Sequence, residues 1–420
     1  MAKFEIKDGV AIIPEGTTEI GYAAFKNCTS LESVTIPEGV TVIGNSAFEG
    51  CTSLESISIP ESVTEIKSGV FCDCTSLESI TIPKSVKKIG NGGKGEWGIF
   101  KGCSSLKSIV VAEGNPVYDS RENSNAVIET KTNDLIYGCK STIIPNSVTG
   151  IKARAFDHCT SLESIIIPES VTSIAYWAFL GCASLKCITI PESVTKIGDN
   201  AFGRCTSLES ITLPDSVASI GWYAFTGCKS LKNITLPDSV TFLGENAFSR
   251  CTSLESIAIP KSVTKVEHYA FDSCRSLTSI TIPESVIKIG IGAFRWCTSL
   301  KSITIPESVA EIGCCAFMGC TSLKDITIPK SVTRIEQNAF KGCASLKKVA
   351  IPESVREIEE YAFEGCTSLT TVILPVGLKD INATAFYRCS ALSTIYVPAG
   401  KADYYKEVLP EKLHDKIVEL

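Results

Sequence analysis

Apolar residues recur along this chain with a period of 23 positions, far longer than the period of a single helix or strand. One unit runs from Ile190 to Thr212, and its apolar positions are Ile190, Val194, Ile197, Ala201, Phe202, Leu208 and Ile211. The residues between them are mostly small or polar. Because successive units keep the same apolar skeleton, we predict that neighbouring units stack and share a continuous core.

Cysteine and proline keep the same period. The cysteines lie 23 residues apart at Cys28, Cys51 and Cys74, and then at eleven positions from Cys159 to Cys389. The prolines keep the step from Pro14 to Pro83 and from Pro145 to Pro398. Fifteen of the 20 cysteines occupy the repeat position, and we predict that they are buried free thiols that act as small hydrophobic residues. The remaining five, to which no role is assigned, are Cys72, Cys139, Cys187, Cys314 and Cys315.

Residues 208–213 show the pattern of a short strand. Ile211 and Leu213 alternate with Thr212, so the first two face the interior and Thr212 faces solvent. Pro214 ends the strand because it has no N–H, and the chain then turns to an opposite wall where Phe225 fills the interior. A strand of this kind in a period of roughly 20 to 29 residues is typical of leucine-rich repeats. We therefore predict a leucine-rich repeat solenoid, a right-handed coil stack with one parallel β-sheet of short strands and mostly irregular or short helical turns on the opposite wall.

The repeat sets the expected domain organisation. Residues 1–400 are predicted to form a single solenoid of about 16 coils, with an N-terminal edge cap at 1–13 and an irregular insertion at 112–138. The insertion is expected to contain a small hairpin, and residues 90–97 an extended turn. Residues 401–420 have helical spacing and are predicted to form a C-terminal helical cap.

Composition excludes several functions. The chain has 40 Lys and Arg against 46 Asp and Glu, a net charge of −6, which argues against a dedicated nucleic-acid or anionic-membrane binder. Only three histidines occur, which leaves little material for zinc sites or Ser-His catalysis. No apolar run is long enough to span a membrane. We predict no catalytic residue, no metal site and no cofactor.

The unit from Ile282 to Thr304 closely resembles the repeat of the BspA-like leucine-rich repeat proteins of oral and gut bacteria and some protists. The resemblance covers nearly the whole chain, including the interruption from Asn115 to Cys139. It implies a surface-exposed or secreted adhesin-type protein that binds host matrix proteins such as fibronectin or fibrinogen, or other microbes. It offers no catalytic residue to carry over.

Two groups of exposed positions are candidates for partner contact. On the predicted strand face, a basic patch consists of Lys301, Lys324, Lys347 and Lys348. An aromatic group near the Ala-Phe turn consists of Tyr176, Trp177, Trp222, Tyr223 and Tyr269. The alternatives are that the alternating charges of the strand face form a self-neutralising surface, and that the aromatic residues only cover the core.

Three classes of function follow. The first is a binding scaffold resembling bacterial surface adhesins. The second is an intracellular interaction scaffold or effector, because the first ten residues lack the profile of a signal peptide and free thiols suit a reducing compartment. The third and most remote is a carbohydrate-active enzyme, since Glu32, Glu55 and Glu78 stack on one face.

Overall fold

Each 23-residue unit forms one coil, in which a short strand lies beside the equivalent strand of the next coil. The computed structural model describes residues 4–90 and 97–420. In it Ser256 pairs in parallel with Ser279 and Ile257 with Ile280, a register of one repeat. The chain divides into two compact units, Met1–Val217 and Ala218–Leu420. The predicted solenoid of stacked coils is confirmed in each of them.

The predicted strands form a first ladder on one side of the coils, with buried isoleucine or valine alternating with exposed Ser and Thr. In the first unit its strands are Val10–Ile12, Ser33–Thr35, Ser56–Ile57, Ser79–Ile82, Ser108–Val111, Cys187–Thr189 and Ser210–Thr212. In the second unit they are Ser256–Ala258, Ser279–Thr281, Ser302–Ile303, Asp325–Ile326, Lys348–Ala350, Thr371–Ile373 and Thr394–Val397.

A second parallel ladder, formed by two-residue strands, is not predicted from the sequence, because so short a strand shows no alternation. Its strands in the first unit are Glu19–Ile20, Val42–Ile43, Glu65–Ile66, Lys88–Ile89, Gly150–Ile151, Ser173–Ile174 and Lys196–Ile197. In the second unit they are Ser219–Ile220, Phe242–Leu243, Lys265–Val266, Lys288–Ile289, Glu311–Ile312, Arg334–Ile335, Glu357–Ile358 and Asp380–Ile381. Most coils therefore have two walls tied by backbone hydrogen bonds, although residues 164–167 form no first-ladder strand.

The core of each unit contains a column of stacked phenylalanine rings, one from each Ala-Phe turn. Phe317 is fully buried and stacks on Phe294 and Phe340, with ring centroids 5.4 Å away on either side. The interplanar angles along the column are small, for example 2° between Phe271 and Phe294. The spacing places the rings in direct contact from coil to coil, so each ring buries its faces on its neighbours.

The repeat cysteine follows the phenylalanine by three residues and makes a second contact between coils. The thiol of Cys343 donates to the carbonyl oxygen of Phe317 at 3.3 Å, and the thiol of Cys51 donates to that of Phe25 at 3.1 Å. The Phe25 carbonyl also accepts the N–H of Cys28 at 3.0 Å, so both of its lone pairs are used. Repeat cysteines are free and buried apart from half-buried Cys28, as predicted.

The insertion at 112–138 contains regular structure. Ala126–Glu129 and Asp134–Gly138 form the predicted antiparallel hairpin, and Tyr118–Asp119 pairs with the first of these strands. A 3-10 turn covers Arg121–Asn123. Tyr137 ends the stack of the preceding coils, since its ring meets Phe100 edge-on at 5.7 Å.

The predicted extended turn at 90–97 lies outside the described residues, except at Gly90 and Trp97.

Both chain ends carry non-repeat elements. At the start, Ile6–Lys7 pairs antiparallel with the first strand of the first ladder. At the other end a helix spans Ala402–Val408, a 3-10 helix Glu411–Lys416 and a parallel strand Ile417–Glu419. The hydroxyl of Tyr405 donates to the carbonyl of Pro375 at 3.0 Å. Carbonyl groups of the preceding coils therefore find donors in this segment.

Replacing Phe317 by Ala is expected to lower the free energy of unfolding by about 3–5 kcal/mol, because two ring contacts are lost and a cavity is left. Urea unfolding followed by circular dichroism measures this. The matched control is Phe242→Ala, since Phe242 is 40% exposed and should change the free energy by less than about 1 kcal/mol. Equal effects of the two variants would contradict the core assignment.

The native protein should show four thiols accessible to reagent, namely exposed Cys187 and half-buried Cys28, Cys314 and Cys315. Cys187 should react fastest, because burial raises the pKa of the other three. Burial raises the pKa of Cys51, Cys251 and Cys343 to about 12, so their thiolate fraction at pH 8 is very small. Titration with Ellman's reagent, with and without denaturant, measures both classes. Cys187→Ser should remove one fast thiol, and fast reaction of all 20 in the native protein would contradict the structure.

Candidate functional site

The outward side chains of the first ladder are free of packing constraints, and in the second unit four of them form a basic patch. Lys301, Lys324, Lys347 and Lys348 are all exposed. The backbone N–H of Lys324 donates to the carbonyl of Lys301 at 3.2 Å, and that of Lys347 to Lys324 at 3.3 Å. The structure thus brings together the four lysines that the sequence groups, and we call them the lysine column.

The lysine column has few compensating charges. Among the described residues, no salt bridge involves any of its four ammonium groups. Asp325, exposed beside Lys324, offsets part of the charge. Adjacent strands are about 4.8 Å apart, so neighbouring ammonium groups repel one another. A partner with negative charge relieves this repulsion and is steered toward the patch.

The acidic positions of the same ladder in the first unit differ. Glu32, Glu55 and Glu78 are exposed. Glu78 forms a salt bridge with Lys107 at 2.7 Å, and this hydrogen bond lowers the pKa of the Glu78 carboxyl. The general acid of a glycosidase needs a raised pKa. The environment of Glu78 is therefore that of a solvated surface charge.

The predicted aromatic residues nearest the Ala-Phe turn have a left-handed backbone. The φ angles of Trp177, Tyr223 and Tyr269 are 60°, 57° and 55°. This conformation is costly for bulky residues, and in several other coils the same register holds glycine or asparagine, such as Asn246 at 56°. Tyr361, at 57°, occupies the same register four repeats after Tyr269 and is missing from the sequence-based group. Extending the repeat count would have found it.

Two of these rings lie against arginine side chains. The guanidinium carbon of Arg154 is 4.0 Å from the ring centroid of Trp177 in the first unit. In the second unit that of Arg295 is 5.1 Å from the ring of Tyr269. One face of each of these two rings is therefore occupied by a cation–π contact within the protein. The other predicted aromatics are more available, with Tyr176 45%, Trp222 52% and Tyr223 41% exposed.

The arginines beneath the rings form ion pairs that the sequence does not reveal, and in both pairs the carboxylate is buried. Arg154 Nη1 lies 2.8 Å from Asp157 Oδ2, and both side chains are at least 94% buried. Asp157 Oδ1 is also 2.6 Å from Nδ1 of His158. Arg295 Nε lies 2.8 Å from Asp272 Oδ1, which raises the pKa of Arg295. The aromatic rings therefore partly serve to shield charges within the coil wall.

Two groups of side chains in the second unit have donor atoms close enough for a metal, namely Glu245, Glu267 and His268, and Cys314, Glu336 and Glu359. His268 Nδ1 accepts the N–H of Ile291 at 2.8 Å. Glu359 binds Arg334 at 3.1 Å and accepts the N–H of Gln337 at 2.9 Å. In each group at least one ligand atom already has a protein partner, so the geometry does not assign a metal to either.

Other polar and sulfur-containing side chains of the first unit are ordinary structural elements. Asp119, in the insertion, accepts hydrogen bonds from Arg121 at 2.6 to 3.1 Å and is thereby neutralised. The off-repeat Cys72 and Cys139 are buried. Among the described residues, no helix has the length and apolar character that would let it cross a membrane.

Stacked coils of 23 residues with these buried positions define a leucine-rich repeat solenoid. A family model described as a BspA-type leucine-rich repeat region (6 copies) matches residues 10–121, 132–251, 195–298 and 287–408. The chain belongs to the BspA-type leucine-rich repeat family. Leucine-rich repeat proteins of this kind are typically scaffolds for protein interaction.

Solved structures of related proteins share this fold. A leucine-rich repeat protein from Bacteroides ovatus is 29% identical, with a TM-score of 0.64, 98% of this chain covered and 92% of that chain. A leucine-rich cell surface protein from Faecalibacterium prausnitzii is 29% identical, with a TM-score of 0.52 and coverage of 97% and 95%. A leucine-rich repeat protein from Eubacterium ventriosum is 25% identical, with a TM-score of 0.51 and coverage of 80% and 82%. No curated protein sequence matches this chain.

Removing one partner of the buried Arg154 and Asp157 pair should be strongly destabilising. Arg154→Met leaves the Asp157 carboxylate buried beside His158 and is expected to lower the free energy of unfolding by about 3–5 kcal/mol. The double variant Arg154→Met, Asp157→Leu should recover part of this loss, because no unpaired charge remains. Urea denaturation of the set measures the coupling. Additive losses in the double variant would contradict the pairing.

Proposed function

We propose that this chain is a non-enzymatic adhesin-like scaffold of the cell surface, which binds host matrix proteins such as fibronectin or fibrinogen, or other cells. The observation that carries the proposal is the lysine column, four exposed ammonium groups on three neighbouring coils without a salt bridge among the described residues. An extended ladder offers a wide surface rather than a deep pocket, which suits a macromolecular partner.

Family membership supports the surface location in this proposal. The related protein from Faecalibacterium prausnitzii is described as a cell surface protein. The exposed aromatics Trp222 and Tyr223, together with Tyr269, supply a second contact surface in the second unit, since large rings anchor protein interfaces. In the first unit Tyr176 and Trp177 supply a comparable pair, with ring centroids 5.0 Å apart.

An intracellular interaction scaffold is the second candidate. All 20 cysteines are free in the structure, and free thiols persist in a reducing compartment. Protease treatment or membrane-impermeant biotinylation of intact cells separates the two candidates. Labelling of the protein on intact cells supports the surface scaffold, whereas labelling only after lysis supports the intracellular one.

Neutralising the lysine column should weaken binding to immobilised fibronectin or fibrinogen. Each exposed charge pair contributes about 0.3–0.5 kcal/mol, so changing all four lysines to Gln should raise Kd about tenfold at low salt. The difference should shrink at physiological salt because of screening. Surface plasmon resonance with an albumin reference measures both effects.

The matched control changes four exposed lysines of the same unit outside the column, namely Lys229, Lys261, Lys330 and Lys379, to Gln. It alters the net charge equally and should leave binding nearly unchanged. Equal loss in both variants would show attraction by net charge alone, and no saturable binding by the unaltered chain would remove these two matrix proteins as partners.

A further inference from the structure

A trough with an aromatic ring at each end crosses the first four coils. The register immediately before the left-handed position holds Tyr22, Asn45, Ser68 and Trp97 in these coils. Tyr22 is 71% exposed and Trp97 43% exposed, whereas Asn45 is half-buried and Ser68 is buried. The two rings belong to coils three spacings apart, about 14 Å along the ladder. Small polar residues between two projecting rings leave an open trough.

The floor of this trough is kept low by small residues at left-handed backbone positions. Ser46 has φ 57° and Gly69 φ 66°. A Cβ on Gly69 would lie 3.3 Å from Ser46 Oγ and 3.8 Å from Trp97 Cβ, so a larger side chain there would crowd the space between them. The trough has a volume of about 250 Å³. This is slightly below the range of about 300–1,000 Å³ found for small-ligand sites.

The polar groups of the trough are held in place by one another. Lys26 Nζ lies 3.0 Å from Glu49 Oε1. Burial opposes ionisation of Glu49, but hydrogen bonds from Ser46 and Lys26 and the charge of Lys101 lower its pKa overall. Asn45 Oδ1 accepts the N–H of Ser68 at 3.1 Å. The site thus offers a fixed carboxylate acceptor, an ammonium donor and neutral hydroxyl groups.

The ring of Trp97 is also fixed in position. Lys101 Nζ lies 4.2 Å and Arg154 Cζ 5.2 Å from its centroid. Lys101 lies 3.8 Å from Asp73 Oδ2, as Lys26 lies near Glu49. Both lysines of the trough therefore have carboxylate partners, in contrast to the lysine column. A polyanion gains little from cations that are already paired, so the trough favours an uncharged ligand.

We infer that the trough between Tyr22 and Trp97 binds an uncharged oligosaccharide, a function beyond the protein binding proposed above. The face of the Tyr22 ring, and the part of the Trp97 ring that Lys101 and Arg154 leave exposed, are negative and attract the C–H groups of sugar rings. Glu49 accepts and Lys26 donates hydrogen bonds to hydroxyl groups between the rings. At 71% exposure the Tyr22 ring contributes little to the core, so ligand contact accounts for a ring that packing does not require.

Binding of the full chain to an array of oligosaccharides, uncharged members alongside sulfated and sialylated ones, tests this inference. Uncharged oligosaccharides are expected to bind, and the strongest is then titrated by calorimetry. Tyr22→Ala and Trp97→Leu should each raise Kd at least tenfold, and Glu49→Gln should raise it several-fold. The matched control is Tyr387→Ala, which removes a ring of similar exposure (42%) in the second unit, outside the trough, and should bind as the unaltered chain does.

Three results would overturn the inference. The first is an array in which no uncharged oligosaccharide binds. If only sulfated and sialylated members bind, and salt weakens their binding, the lysine column is the binding site instead. The second is unchanged affinity of Tyr22→Ala, whose exposed position allows the variant to fold. The third is loss of binding by Tyr22→Ala to fibronectin stripped of its glycans, since the trough would then contact protein. Failure of fibronectin binding alone leaves the oligosaccharide result standing.

Discussion

Every coil must present the same inner surface to its neighbours, and the phenylalanine of the Ala-Phe turn enforces this most strongly. Its ring stacks on the rings of adjacent coils, as Phe317 does at 5.4 Å, and its carbonyl accepts the cysteine thiol of the next coil. One buried aromatic contact and one hydrogen bond therefore recur at the same point of each repeat. An insertion into a coil must therefore leave its phenylalanine and cysteine aligned with those of the neighbouring coils.

That constraint leaves the outward positions free to differ, which makes them the place for function. Just before the first-ladder strands, Glu32 and Glu55 in the first unit have lysines of the lysine column as their counterparts in the second, while Ile303 and Val349 beside those lysines stay buried. Near the turn, a left-handed position accepts Gly69, Asn246 or Tyr269 alike. Surface chemistry can thus vary from coil to coil on a backbone that does not change.

The sequence predicts those features that repeat and are buried. The 23-residue period of Phe, Cys and Pro was enough to predict the solenoid, its buried thiols and the exposure of Lys301 and Lys324. The second ladder is too short to show a pattern, as in Glu19–Ile20. The hydrogen bond from the cysteine thiol to the phenylalanine carbonyl joins two coils, and the sequence does not show how those coils are offset. The ion pair of Arg154 with Asp157 depends on side-chain rotamers, which the sequence does not show either. The sequence does not predict the trough, because six additional residues shift Trp97 out of the 23-residue period of Tyr22, Asn45 and Ser68.

The account depends on the claim that partners bind to the variable outward side chains while the repeated core serves only as scaffold. Hydrogen exchange of the full chain with and without fibronectin tests this claim most directly, because it reports every coil at once. The account predicts slowed exchange at residues 301–304, 324–327 and 347–350, with the phenylalanine turns of the same coils unchanged. Slowed exchange confined to other coils, or none at saturating fibronectin, would contradict it.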